Sequence, residues 1–362
     1  MPNFTPQHNP FADLISGQHI ALIPSLTLES GHVLNPCQVA YKTWGQPNTT
    51  RDNVLVVCHA LSGSSDVADW WAPLIGPGKA LDYTGFFFFC GNALGWPYGS
   101  SSPLTINPDT GRPYGPEFPT TLLLGGSMGG MTTLEWPLCT SPSFVKAAIP
   151  IATSAAQTAW GISWSEIQRQ CIYSDPLFHG GYYDLNQQPI SGLATARKVV
   201  MLTYRSGDSF EKRFGRKPSS QSKCLKPPAM APACNTSNPM RRLFSAQDYL
   251  DYQGFKFLRH NITATVLSRV PSHSLIVGIE SDVLFLPAQQ HELAACLRDA
   301  TLAMLKSSDG HDAFLLEFEQ LNHLIIDRLK WRFQGMYEGF TERVAEIDVY
   351  HLTNGISVGE MD

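Results

Sequence analysis

Gly125-Gly126-Ser127-Met128-Gly129-Gly130 is the stretch that decides the fold. It follows the apolar run Thr121-Leu122-Leu123-Leu124 and precedes Met131 to Leu138, a segment of helix formers with apolar residues at helical spacing. The pattern G-x-S-x-G between a strand and a helix places its serine on a tight turn, where only residues without side chains fit alongside. A serine held there is in strained backbone geometry. Its hydroxyl is pushed out at the carboxyl end of the strand, and the helix that follows brings backbone N–H groups near it.

Working outward, short apolar runs bounded by turn residues recur through the first half. They are Val54-Leu55-Val56-Val57-Cys58, Phe86-Phe87-Phe88-Phe89-Cys90 and Ala147-Ala148-Ile149-Pro150-Ile151. Continuous apolar runs of four to six residues suit strands buried on both faces, the usual state of a parallel sheet. From Ser154 to about His260 the strand signal disappears. Trp160, Trp164, Ile167 and Cys171 form an i, i+4, i+7, i+11 stripe that predicts a helix, with further helices expected over Gly192–Tyr204 and Leu243–Phe257. Between the last two, 217–240 is rich in Pro, Ser, Lys and Asn and reads as a loop. Strands return at Ser274–Ile279 and Leu302–Leu305, with helices expected over Pro287–Leu297 and from about Glu317 to Phe333. The expected organisation is an α/β core over 1–153 and 261–362, with a mostly parallel sheet, interrupted by a helical cap over 154–260.

The composition agrees with a globular chain. Of 362 residues, 43% are hydrophobic and 16% charged, and the net charge is −5. That balance gives no electrostatic footprint for nucleic acid or a membrane surface. No run approaches the ~20 apolar residues of a membrane-spanning helix. The first positive charge is Lys42, so neither a secretion signal nor a transit peptide is expected, and the expected location is the cytoplasm. The eight cysteines are scattered with no C-x-x-C pair, so reduced thiols are expected and no metal site or resident cofactor is suggested.

A serine hydroxyl needs a base held by a carboxylate. In hydrolases built on this kind of sheet the chain order is Ser, then Asp or Glu, then His. Asp282 follows the 274–279 strand and His311 follows the next short strand, each in a strand-end loop. His323 competes on order but falls inside the final helix. The acyl intermediate also needs two backbone N–H donors for its oxyanion. Met128, after the serine, is the first; the second is expected from Cys58-His59-Ala60-Leu61-Ser62-Gly63, with the Leu61 amide as candidate. His59 precedes the serine in the chain, so a structural role in the loop is expected for it. At this level an esterase, a thioesterase, a lipase and a transferase are all compatible.

Longer stretches narrow the field. Ala40-Tyr41-Lys42-Thr43-Trp44-Gly45, Cys58 to Gly63, Gly76-Pro77-Gly78-Lys79-Ala80-Leu81-Asp82, Pro113-Tyr114-Gly115-Pro116-Glu117-Phe118-Pro119, Gly125 to Glu135, Leu202-Thr203-Tyr204-Arg205 and Gly310-His311-Asp312-Ala313-Phe314 are idiosyncratic. On these the chain resembles the homoserine O-acetyltransferase family in its fungal form, over nearly its whole length. The resemblance implies an α/β-hydrolase fold and acetyl transfer from acetyl-CoA, a co-substrate rather than a cofactor, to the hydroxyl of L-homoserine in methionine biosynthesis. Ser127 would be the nucleophile, His311 the base and Asp282 its orienting acid. By motif position Arg197 resembles the arginine that binds the substrate carboxylate, and Asp312 the group that binds its ammonium. Family members commonly dimerise through the cap, so a homodimer is expected.

The chain departs from the family pattern in two places. The segment between Phe118-Pro119 and Thr121 is short, and 258–273 replaces a longer family stretch. Three other readings stand beside the leading one. They are an O-acetyltransferase with another acceptor (L-serine or a deacetylcephalosporin-type alcohol), a plain serine esterase, and an inactive truncated relative.

Overall fold

A computed structural model of the protein describes residues 9, 11–28, 31–61, 63–102, 105–107, 110–113, 127–141, 144–156, 158–183, 187–215 and 270–334. The strands are β1 (His19–Ile23), β2 (Leu26–Thr27), β3 (Val33–Leu34), β4 (Cys37–Trp44), β5 (Val54–Val56), β6 (Phe87–Gly91), β7 (Ile106–Asn107), β8 (Arg112–Pro113), β9 (Leu275–Ile279) and β10 (Thr301–Leu305). The helices are α1 (Val67–Trp71), α2 (Met128–Cys139), α3 (Ala159–Tyr173), α4 (Ile190–Tyr204), α5 (Gly207–Arg213), α6 (Pro287–Cys296) and α7 (Phe318–Arg332). The expected strand over 121–124, the loop over 217–240 and the helix over 243–257 lie outside the described residues, as do the shortened segment before Ser127 and most of its counterpart at 258–273.

Pairing is mixed. β1 and β6 each run antiparallel to β4, β5 runs parallel to β6, and β10 parallel to β9. The parallel pairs carry the loops of interest, while β1 and β4 add an antiparallel flank. That flank has no counterpart in the sequence reading, because Gln38, Tyr41, Lys42 and Thr43 interrupt any apolar run and burial recurs only at Cys37 and Ala40. The expected strand at 147–151 runs parallel beside β9 without becoming a full ladder. Leu275 N–H donates to Ala148 O (3.2 Å), Val277 N–H to Pro150 O (3.0 Å) and Ala152 N–H to Val277 O (2.7 Å). Pro150 has no N–H to return, which leaves Ile151 opposite Val277 as an isolated bridge.

β9 shows how the layers are held. All five of its residues are buried. Leu275, Val277 and Ile279 point into a cluster with Leu321, Ile325 and Leu329 of α7, whereas Ile276 points the other way, towards Leu134 of α2 and Leu293 of α6. Successive side chains of a strand face opposite sides, so one strand anchors helices on both faces and the architecture is three-layered. Helices α3 and α4 pack on one another, and α4 also packs on the short 3₁₀ helix Gly310–Leu315. Among the described residues no helix is long and apolar enough to cross a membrane.

Candidate active site

Ser127 sits at the N-cap of α2 with φ 69° and ψ −113°. A residue with a Cβ is strained there by about 1–3 kcal/mol, and such strain persists only where the surroundings over-determine it. Two constraints do so here. The Ser127 N–H donates to Ile151 O at 3.0 Å. One turn on, Gly130 lets α2 press against Thr153, since a Cβ at 130 would lie 2.5 Å from Thr153 Cγ2.

Asp282 follows β9 and His311 follows β10, both beyond the carboxyl ends of their strands, where ligands of open α/β sheets bind. His311 Nδ1–H donates to Asp282 Oδ2 at 2.7 Å, and both side chains are buried. Asp282 Oδ1 accepts from Leu284 N–H (2.8 Å) and Phe285 N–H (2.9 Å), which fixes the carboxylate plane. Tyr204, Phe285 and Phe314 surround the imidazole, with ring centroids 5.4–5.7 Å away. Its Nε2 is buried and makes no hydrogen bond among the described residues. With Nδ1 committed to the carboxylate, Nε2 is the atom left to take a proton.

Leu61 and Met128 are brought together by Ala93, Trp96 and Tyr98, which form one apolar cluster with them. Trp96 Nε1–H donates to Leu61 O at 2.9 Å. His59 is fully buried; its Nε2 accepts from Ala93 N–H (3.1 Å), its Nδ1 lies 2.9 Å from Ala60 O, and burial pushes its pKa down to about 4. His323 is exposed on α7.

Arg197 lies on α4, buried, with its guanidinium carbon 5.6 Å from the Tyr204 ring centroid. Burial pushes the Tyr204 phenol up to about 12, against the pull of the Arg197 charge. Asp312 adjoins His311, and its Oδ2 pairs with Arg205 Nε at 3.1 Å. The same guanidinium reaches Asp309 Oδ1 at 3.0 Å, so Arg205 bridges the two carboxylates that flank Gly310-His311. Burial raises the Asp312 pKa, opposed chiefly by the Arg205 guanidinium and more weakly by Arg197.

The sequence reading assigned no role to Tyr204, Arg205, Trp96 or Gln290. Gln290 is fully buried on α6; its Nε2 donates to Phe285 O (2.8 Å) and more weakly to Asp282 Oδ2 (3.4 Å), and its Oε1 accepts from Ile279 N–H (2.9 Å). A signal existed for it. Gln290, Leu293 and Leu297 are spaced i, i+3, i+7, which puts a glutamine on the buried stripe of α6.

The alpha/beta hydrolase fold family matches residues 53–318. The chain is 39% identical to the homoserine O-acetyltransferase of Cryptococcus neoformans var. grubii, over 93% of this chain and 92% of that protein. It is likewise 39% identical to the homoserine O-acetyltransferase of Saccharomyces cerevisiae, over 89% and 88%. The Cryptococcus alignment runs over 488 positions, more than the 362 residues of this chain, so it opens gaps on this side. Among solved structures, homoserine O-acetyltransferase from Bacillus anthracis superposes with a TM-score of 0.70 at 22% identity, covering 86% of this chain and 97% of that one, a likeness of fold. On the identity and coverage of its fungal relatives, the chain belongs to the homoserine O-acetyltransferase family within the α/β-hydrolase fold.

Proposed function

We propose that the protein transfers the acetyl group of acetyl-CoA to the hydroxyl of L-homoserine through an acetyl-Ser127 intermediate. The observation that carries this reading is the buried Asp282–His311 pair with His311 Nε2 left unengaged, in a fold that strains Ser127 at the head of α2. Nε2 accepts the Ser127 proton as Oγ attacks the thioester carbonyl. The tetrahedral oxyanion is met by the N–H groups of Leu61 and Met128, neither of which donates a hydrogen bond among the described residues. Collapse breaks the C–S bond, and the proton on Nε2 leaves with the thiolate of CoA. The homoserine hydroxyl then gives its proton to Nε2, attacks the acetyl carbonyl and expels Ser127 Oγ, which regains the proton.

Arg197 and Asp312 serve the acceptor. An amino acid presents one charge of each sign, and the buried Arg197 guanidinium answers its carboxylate, while Asp312 answers its ammonium. A buried guanidinium packed on Tyr204, the ring that also flanks the base, favours an anionic acceptor over water, and so a transferase over an esterase. In this reading 154–260 form a cap that carries Arg197 over a core of 1–153 and 261–362. The enzyme works in the cytoplasm as a homodimer, with acetyl-CoA and homoserine as substrates and no resident cofactor.

Free-thiol release from acetyl-CoA, measured with L-homoserine, L-serine or no acceptor, tests the reading. Release that depends on homoserine supports it. Equal release without acceptor makes the protein a hydrolase, and release preferring L-serine moves the acceptor.

A further inference from the structure

A buried histidine that takes no part in the proton relay sits directly behind one of the two oxyanion donors. Its surroundings fix its tautomer. Ala93 N–H donates to Nε2 at 3.1 Å, so that atom carries no proton and the single N–H of the ring is on Nδ1. The imidazole is fully closed off from solvent, and burial pushes its pKa down to about 4, so it stays neutral at working pH. Nδ1–H therefore donates to Ala60 O, 2.9 Å away.

Ala60 O belongs to the same peptide unit as the Leu61 N–H. A trans peptide is planar with its C=O and N–H pointing in opposite directions. Whatever holds the carbonyl on one side aims the N–H to the other. Two donors hold it, His59 Nδ1–H and Gly63 N–H, the latter at 2.8 Å. The loop is closed tightly around this arrangement, for a Cβ at Gly63 would come within 3.0 Å of His59 Cβ and 3.2 Å of Ala60 O. On the far side of Leu61, Trp96 Nε1–H takes Leu61 O at 2.9 Å, so both carbonyls that flank the Leu61 N–H are engaged. A flip of the 60–61 peptide would break two hydrogen bonds and swing a carbonyl oxygen towards the place where negative charge develops.

We propose that His59 is a positioning residue of acetyl transfer: by holding Ala60 O through Nδ1–H it keeps the Leu61 N–H turned to the oxyanion. The inference rests on the functional reading above, in which Leu61 is an oxyanion donor, and adds the group that orients it. The histidine acts through the peptide and touches no substrate.

Two polar substitutions separate the bond that matters from the one that does not. The amide nitrogen of His59→Asn superposes on Nδ1 and keeps the Ala60 contact. The longer amide of His59→Gln reaches the Nε2 position, so it keeps the Ala93 contact and loses the Ala60 lock. In the full-length protein, His59→Gln lowers kcat for thiol release from acetyl-CoA by ~10²-fold, the range for loss of one oxyanion donor, with KM for both substrates within about threefold. His59→Asn stays within about fivefold of the unsubstituted protein in kcat. The burst of Ser127 acylation by p-nitrophenyl acetate, followed by mass spectrometry, falls in the same order.

An active His59→Gln overturns the proposal. So does an equal loss in the Gln and Asn variants, which would show that the Ala60 contact alone does not carry the effect. Should His59→Gln not fold, His59→Phe, which keeps the ring against Trp96 and removes both bonds, is read by the same split. If the unsubstituted protein shows no Ser127-dependent acetyl transfer, the functional reading fails and the positioning role falls with it, a result distinct from an active protein indifferent to residue 59.

Discussion

His311 Nδ1 and Asp282 Oδ2 lie 2.7 Å apart in a pocket closed to solvent, and the other carboxylate oxygen is already taken by the N–H groups of Leu284 and Phe285. The carboxylate therefore has one orientation and one free face. In Asp282→Asn, the amide oxygen must stay with the two backbone donors, which turns its NH₂ towards Nδ1. Nδ1 then becomes an acceptor, the proton moves to Nε2, and Nε2 can no longer act as a base. The expected loss in kcat is about 10³–10⁴-fold with the fold intact. Thiol release beside a far-UV circular dichroism spectrum checks both halves.

Arg197 is predicted to act on acceptor affinity rather than on chemistry. Arg197→Met keeps much of the buried side-chain volume and removes the charge that answers a carboxylate. The homoserine KM should rise by about 10²-fold, the order expected for truncating one partner of a buried charge pair. Acylation of Ser127 by p-nitrophenyl acetate, which needs no acceptor carboxylate, should stay within a few-fold. A parallel fall in both would place Arg197 in the structure of α4 rather than in acceptor binding.

What was legible in the sequence was placement that depends on chain order. Asp282 and His311 each stand after a strand and Ser127 at the start of a helix, and Gly130 has a steric reason to be there, since a Cβ would meet Thr153. Strands with continuous apolar runs, such as Leu275–Ile279, were legible because burial on both faces leaves no room for polar residues. The antiparallel flank was not, since an edge strand like His19–Ile23 is mostly exposed and carries no such constraint. Least legible were the groups that act through a fold contact between distant residues. Arg205 meets Asp309 and Asp312 from a different helix, and Gln290 reaches Asp282 across a turn, so nothing near either residue announces its partner.

Arg205 sets the charge on Asp312. Burial alone raises the pKa of that carboxyl, and the Arg205 guanidinium at 3.1 Å pulls it back down. Only the ionised form can bind an ammonium, so the homoserine KM should climb as pH falls through the Asp312 pKa. Arg205→Met removes the opposing charge, lets the pKa rise further, and moves that limb of the KM profile to higher pH. The limb is read from initial rates between pH 5 and 9. A profile that keeps its position in Arg205→Met would detach Asp312 from ammonium binding.

His59 also predicts how the fold responds to acid. In the unfolded chain its imidazole takes a proton near pH 6.5, whereas in the folded protein it does so only at about 4. Between those values the unfolded state binds a proton that the folded state refuses, so stability falls as pH drops through that window and is unaffected above it. At ~1.4 kcal/mol per pKa unit, the full difference is about 3 kcal/mol by pH 4. His59→Asn carries no titrating group at this position and should lose less stability over the same range. Urea unfolding at pH 7.5 and 4.5 for the two proteins isolates the contribution, because every other carboxylate and histidine is common to both. Equal losses would mean that the buried ring gains its proton without opening the loop, and that the two hydrogen bonds at its edges hold it less firmly than their geometry implies.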